Sequence, residues 1–368
     1  MKILVVQDHL RSGGTERQSV LLANAFAAAG HESTLLTFRP GGALAATVAD
    51  NVQRVSLQPF DTTLDWFAPG LLGAVRRARP DLVLCMGRMA NCRAAALAAH
   101  ASDLESRPAV VMSMRTGKAL PWMFRRGLLR ADHIVANSRD ARDTLVTAHR
   151  VPAEKISVIY NSLVFPPATA LWRNEPLRTQ HGATSKTTVL LNVAMFRREK
   201  NQRELIEIAA GLPEQLDWQL WFAGDGPERA ACERLVTEKN LGPRIKFLGF
   251  LADPTRLYCA GDLAVHASWS EALSNFLIEA QAHGLLAVAS EAQGIRECFV
   301  PGRTGWAIAR GDRTAFRDTL TRRMSEPAIA RAERSADARA YARATFDRAR
   351  QIDAYLALFQ QLAAAPRA

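Results

Sequence analysis

Short apolar runs alternate with longer amphipathic stretches from the start of the chain. Residues 3–6 read as a buried strand, Gly13-Gly14 as a tight turn, and residues 15–29 as a helix closed by Gly30. Further strands are predicted over 33–38, 82–85, 110–113, 134–136 and 156–159, with helical patterns between most of them. This βαβα order predicts an α/β fold with a parallel sheet covered on both faces.

Residues 161–186 break the rhythm. Pro166, Pro167, Pro176, Gly182 and several polar residues mark a linker. The alternation then restarts, with strands predicted over 189–194, 220–223, 245–248, 263–266 and 286–289 and helices over 202–210, 228–240 and 275–283. From about Arg313 the tail is rich in Ala and Arg and helical. The expected organisation is an N-terminal domain over 1–165, a linker over 166–186, a second domain over 187–345, and a C-terminal helix over 346–368 returning to the first domain. In open sheets of this kind ligands bind beyond the carboxyl ends of the strands, so a cleft between two such domains is the expected site.

Composition adds limits. A chain of 368 residues, 48% hydrophobic and 23% charged, is long enough to bury two cores without staples. Five cysteines without C-x-x-C spacing fit a reducing cytoplasm better than a disulfide framework. The N-terminus turns polar too early for a signal peptide, and no long apolar run predicts a membrane span. The net charge is +11, and residues 1–165 carry 20 Lys/Arg against 13 Asp/Glu. That excess favours anionic membranes or phosphorylated substrates, although an Arg-rich composition alone also produces it.

Five stretches carry candidate chemistry. Gly13-Gly14-Thr15-Glu16 follows the first strand, where a helix N-terminus offers N–H groups to a phosphate; a plain βα turn is the alternative. Met195-Phe196-Arg197-Arg198-Glu199-Lys200-Asn201 follows the first strand of the second domain. There Arg197 and Lys200 are placed to grip a diphosphate, or the loop is simply solvated. Gly224-Asp225-Gly226-Pro227 opens a helix and reads first as a structural turn. Glu271 and Glu279 have seven residues between them, Glu271 in a loop and Glu279 about one turn into a helix that begins near Asn275. Glu271 can accept from sugar hydroxyls and Glu279 from a ribose diol, while the N–H groups near Leu273, Ser274 and Asn275 face a phosphate. Apolar neighbours around Glu279 mean that its carboxylate needs a partner or a ligand. Gly294-Ile295-Arg296-Glu297 reads equally as structure or site.

In this order the pieces resemble the family 4 glycosyltransferases, retaining enzymes of the GT-B fold, which has two Rossmann-like parallel-sheet domains facing across a cleft. Glu271 and Glu279 match that family's E-x7-E pair. Arg197 with Glu199-Lys200-Asn201 is similar to its basic element, Gly224-Asp225-Gly226-Pro227 to its G-x-G-P turn, and Phe247-Leu248-Gly249-Phe250 to its base-contacting F-x-G element. Gly13-Gly14-x-Glu16 looks like its diphosphate loop. Where many members carry His-Asp, this chain reads Ser113-Met114-Arg115-Thr116-Gly117, with Arg115 in place of the His.

The resemblance implies transfer of a sugar, with retention, from a nucleotide donor to a glycan or lipid-linked acceptor. UDP is the default nucleotide, and cell-surface polysaccharide or lipopolysaccharide synthesis the setting. Glu271, Arg197, Lys200 and Arg115 are the expected catalytic residues. Gly13, Gly14, Gly224, Phe250, Leu273, Ser274, Asn275 and Glu279 are expected to hold the donor. With no D-x-D motif, no metal or other cofactor is expected, and no nucleic-acid partner. The segment 120–130 mixes Trp122, Phe124 and Leu128 with arginines, as in a helix lying on an anionic membrane, or else its apolar residues pack inside. A cytoplasmic protein, peripheral on the inner face of the membrane, is the corresponding expectation. The competing functions are a non-catalytic nucleotide-sugar binder and an NAD-dependent oxidoreductase, the latter weakened by the missing G-x-G-x-x-G.

Overall fold

A computed structural model describes residues 1–101, 107–165, 173–251 and 253–364. Its contacts divide the chain into two compact units, Met1–Ser162 with Arg348–Ala368, and Leu163–Asp347.

The first unit holds seven strands: β1 (Lys2–Gln7), β2 (Glu32–Thr37), β3 (Gln53–Ser56), β4 (Leu82–Cys85), β5 (Ala109–Met114), β6 (His133–Ala136) and β7 (Ile156–Val158). All neighbours are parallel, in the order β3-β2-β1-β4-β5-β6-β7. Strands β4 and β5 are buried throughout, because helices cover both faces. The helix Arg348–Ala364 belongs to this unit and lays Ile352, Tyr355, Leu358 and Phe359 into its core, where Tyr355 and Phe359 meet Phe26 at 6.2 and 5.4 Å.

The second unit holds β8 (Thr188–Val193), β9 (Trp218–Ala223), β10 (Ile245–Phe247), β11 (Leu263–His266), β12 (Leu286–Ser290) and β13 (Gly305–Ile308), parallel in the order β10-β9-β8-β11-β12-β13. The strand order reverses between β1 and β4 in one unit and between β8 and β11 in the other. At such a point the loops on either side diverge, and a crevice opens at the strands' carboxyl ends.

The expected linker is corrected. Residues 166–172, with Pro166 and Pro167, lie outside the described residues, but 173–186 form part of the second unit. They include the helix Glu175–Gln180, whose start is capped by Asn174 accepting from the Leu177 N–H at 3.2 Å. Pro176 sits in its first turn, where a missing N–H costs nothing. Arg178 is fully buried and donates to Ala260 O (2.7 Å), Thr184 O (2.9 Å) and Asp262 (3.0 Å), which anchors the segment. Among the described residues no helix is long and apolar enough to cross a membrane.

Candidate functional site

Strands β8 and β11 lie side by side at the switch point of the second sheet. The loop after β8 makes a short 3₁₀ turn, Arg198–Lys200, ended by Asn201 at φ +54°, a left-handed position that Asn tolerates better than most residues. The loop after β11 is fastened to it: Trp269 N–H donates to Glu199 O at 3.1 Å and Ser268 Oγ to the same carbonyl at 2.9 Å. This zipper brings Lys200 Nζ within 2.5 Å of Glu271 Oε1. His266, the last residue of β11, places Nε2 2.8 Å from the same oxygen.

The Glu271 side chain is only 9% exposed and that of Lys200 25%. Burial pushes the Glu271 carboxyl up, but the Lys200 ammonium and the His266 contact outweigh it and hold it at about 2. Glu271 is therefore an anion throughout the neutral range.

Ser274 caps the helix Asn275–Ala282, its Oγ accepting from the Leu277 N–H at 3.4 Å. Leu273 and Ser274 are buried, and Asn275 opens the helix. Glu279, one turn in, accepts from Tyr258 OH at 2.5 Å through Oε2. Tyr258 is stacked on His283, with ring centroids 4.8 Å apart, and His283 Nδ1 lies 2.8 Å from Glu279 O. The two carboxylates thus share one loop-helix segment with separate partners, an ammonium for Glu271 and a phenol for Glu279. Neither His266 nor Tyr258 was predicted as part of the site. His266 ends a strand five residues before Glu271, a signal that was available; Tyr258 carries none.

Glycines hold this edge together by close approach. A Cβ on Gly294 (φ +70°) would lie 2.0 Å from Ala272 O, so the chain can pass behind the Glu271 loop only without a side chain. Gly224 (φ +144°) would meet Ala194 O at 2.0 Å in the same way. Its Cβ position faces backbone, so Gly224 joins the β8 and β9 loops. Phe250, after β10, is 52% exposed, while Phe247 stacks on Phe222 with centroids 5.6 Å apart.

Arg197 does not join Lys200. Its exposed side chain makes no hydrogen bond or ion pair among the described residues and lines a separate cavity with Arg198, Arg203 and Trp269. The expected pairing of Arg197 with Lys200 is not seen, since Arg197 lines a space that Lys200 does not and Lys200 is paired with Glu271.

In the first unit, Gly14 begins the helix Gly14–Ala28, and Gly13 precedes it at φ −73°. The chain bends at Ser12-Gly13, but neither glycine takes a positive φ. Gly13 instead makes room for Glu16, whose carboxylate oxygen would lie 2.4 Å from a Cβ. Arg115, after β5, donates to Asn161 Oδ1 and, at 2.7 Å, to Tyr355 OH. Asp8, after β1, receives the Met89 and Ala90 N–H groups at 3.0 and 2.7 Å, yet burial pushes its carboxyl up to about 6. Among the described residues no cluster of three or more His, Cys, Asp or Glu is placed to hold a metal.

These features agree with two family models. Residues 12–163 match the model described as glycosyltransferase family 4, and residues 173–345 the model for glycosyl transferases group 1. The chain belongs to this family of glycosyltransferases. Among curated relatives, N-acetyl-alpha-D-glucosaminyl L-malate synthase of Bacillus anthracis is 25% identical over 182 residues, 49% of this chain and 47% of that protein. The lipopolysaccharide core biosynthesis glycosyltransferase LpsD of Rhizobium meliloti (strain 1021) is 30% identical over 173 residues, 47% of this chain and 49% of that protein. The chain spans about half the length of these curated relatives. Among solved structures, Anabaena Alr3699/HepE in complex with UDP and glucose superposes with a TM-score of 0.81 at 22% identity, covering 98% of this chain and 99% of that one. The fold is GT-B, with two parallel-sheet α/β domains of seven and six strands.

Proposed function

We propose that this protein is a retaining glycosyltransferase that moves a sugar from a nucleotide diphosphate, with UDP as the favoured carrier, to a glycan or lipid-linked acceptor. The observation that carries the reading is the Lys200–Glu271 pair at the switch point, beside the start of the helix Asn275–Ala282. An ammonium and the positive end of a helix dipole on one edge suit a leaving diphosphate. The ionised Glu271 suits sugar hydroxyls, which need an acceptor. Glu279 and its Tyr258 partner suit a ribose, and the exposed Phe250 a base. The acceptor hydroxyl oxygen bonds to the anomeric carbon on the face that the diphosphate leaves, and its proton passes to the departing phosphate. Glu271 positions the sugar and takes no covalent part. No metal is invoked.

UDP is supported by the HepE complex, and cell-surface glycan synthesis by LpsD. The acceptor side is read as membrane-associated from the helix Trp122–Arg130. Phe124 and Leu128 face inward while Trp122 and Leu129 are 67% and 64% exposed among Arg125, Arg126 and Arg130. Family membership sets aside the oxidoreductase alternative.

The test is a panel of nucleotide sugars with crude lipid-linked acceptor, with and without EDTA, read by mass shift and by NMR of the new anomeric centre. Retained configuration with a UDP-sugar, lost on Lys200→Ala, is expected. Turnover that survives Lys200→Ala, or an inverted product, refutes the assignment. Flotation with anionic and neutral vesicles tests the membrane reading, which fails if the protein shows no preference.

A further inference from the structure

A cavity of about 410 Å³ opens in the second unit, lined by Arg197, Arg198, Gln202, Arg203, Glu228 and Trp269, with Cys232 and Asn201 at its wall. Its volume falls within the range of small-molecule sites, about 300–1,000 Å³. Lys200, Glu271 and Glu279 do not line it.

Three features set it apart from ordinary charged surface. First, the side chains of Arg197, Arg198 and Arg203 have no ion-pair or hydrogen-bond partner among the described residues. Nearby arginines do: Arg229 is 2.8 Å from Glu233, and Arg313 3.1 Å from Glu204. Three arginines line one space, with Glu228 the one acidic residue among the lining residues. Second, Gln202 is 1% exposed and donates Nε2 to Met195 O at 3.0 Å, yet its Oε1 has no partner among the described residues. A buried acceptor left unsatisfied is costly, so a ligand donor there is favoured. Third, Trp269, an aromatic residue 37% exposed, lines the same space. Cys232 is inert by comparison, its buried thiol pushed up to about 11.

We propose that this cavity binds an anionic sugar, a ring carrying a phosphate or a carboxylate. The arginines hold the anion bidentately. A ring hydroxyl donates to Gln202 Oε1, which a bare anion cannot do, and another to Glu228. The ring's apolar face lies against Trp269. The cavity and the Lys200–Glu271 pair are formed by the same two loops, so Arg197 and Trp269 stand two or three residues from that pair while serving a different ligand. The inference does not depend on the transfer reaction.

Calorimetric titration of the full chain with glucose 6-phosphate, glucuronate, glucose and inorganic phosphate tests it. At least one charged sugar is expected to bind about tenfold or more tightly than either glucose or phosphate. Glucose 6-phosphate as the better ligand assigns a phosphate, and glucuronate a carboxylate. The double variant Arg198→Glu/Arg203→Glu is expected to lose that binding while retaining UDP affinity and thermal stability. Arg198→Gln/Arg203→Gln serves if the charge reversal does not fold. Equal weak binding of all four probes overturns the proposal. So does binding abolished by Lys200→Met but untouched by either arginine pair. Failure of UDP to bind, with sugar-phosphate binding intact, would instead count against the donor site alone.

Discussion

Replacing Lys200 with Met removes the ammonium from Glu271 while keeping most of the stem's volume. The wild-type carboxyl is held at about 2 against a usual 4.5, a shift worth about 3 kcal/mol of native-state stability at neutral pH. His266 remains 2.8 Å away in the variant and retains part of this. Lys200 is a quarter exposed, so solvent already screens its share. Against that, a buried carboxylate stripped of its counter-ion is costly, about 3–5 kcal/mol in fully buried pairs. The expected loss is therefore about 2–3 kcal/mol at pH 7. Its sign with pH is fixed by the depressed pKa. The contribution is complete above 4.5 and fades as pH falls toward 2, so the gap between wild type and variant should shrink by about half at pH 3. Urea titration followed by tryptophan emission suits the measurement, because Trp218, Trp221, Trp269 and Trp306 all report on the second unit. A two-unit chain need not unfold in one step, so the transition to compare is this one. An unchanged midpoint at pH 7, or a gap that stays constant down to pH 3, would refute the reasoning.

Tyr258→Phe deletes a hydroxyl that donates to Glu279 Oε2, and should raise the donor KM about five- to tenfold with kcat little altered; steady-state kinetics that leave KM unmoved reject the positioning role. Gly294→Ala forces a side chain into φ +70° and against Ala272 O, so a stability loss of about 2 kcal/mol or more is expected in urea, with the Glu271 loop displaced; wild-type stability would contradict the close approach. Asp8 carries the opposite pH sign to Glu271. Its folded-state carboxyl is raised to about 6, so the unfolded chain loses its proton first and native stability declines between pH 3.8 and about 6. Asp8→Asn should flatten that stretch of the profile, measured by circular dichroism in urea at pH 4, 5 and 6; an unaltered slope assigns it to other groups.

Much of the fold was legible because the strands are buried on both faces. Leu82–Cys85 and Leu263–His266 follow the sequence pattern residue for residue, since each is a short buried run opened by an aspartate, Asp81 and Asp262. The edge strand β3 (Gln53–Ser56) was not predicted, because its side chains are largely exposed and polar and leave no hydrophobic signature. Pro176 was read as a breaker, although a proline in a helix's first turn is neutral. In the site, Lys200 and Glu271 are 71 residues apart, and only the topology makes their loops neighbours. Arg197 shows the limit of residue type as a guide. A cation in the right loop carries no information about which side of the turn its side chain takes.

The electrostatics of the pair constrain the chemistry more than its residue types do. A carboxyl held at about 2 cannot donate a proton at neutral pH, so Glu271 is excluded as a general acid there. Nor is it a free base of useful strength, since a group that releases its proton so readily regains one only in strong acid. What remains is a fixed anion that accepts hydrogen bonds and orients whatever donates them. Lys200 is constrained in turn. One of its three N–H bonds is committed to Glu271, and the pair is neutral as a whole. A diphosphate arriving there would meet a local dipole with its ammonium end and the helix start at Asn275 as donors. In the proposed reaction such binding would draw the Lys200 protons toward phosphate, loosen their hold on Glu271 and free that carboxylate for the hydroxyls of the sugar. Under the proposed function the cation serves the phosphate and the anion the ring, a use that two apolar residues, cheaper to bury, would not supply.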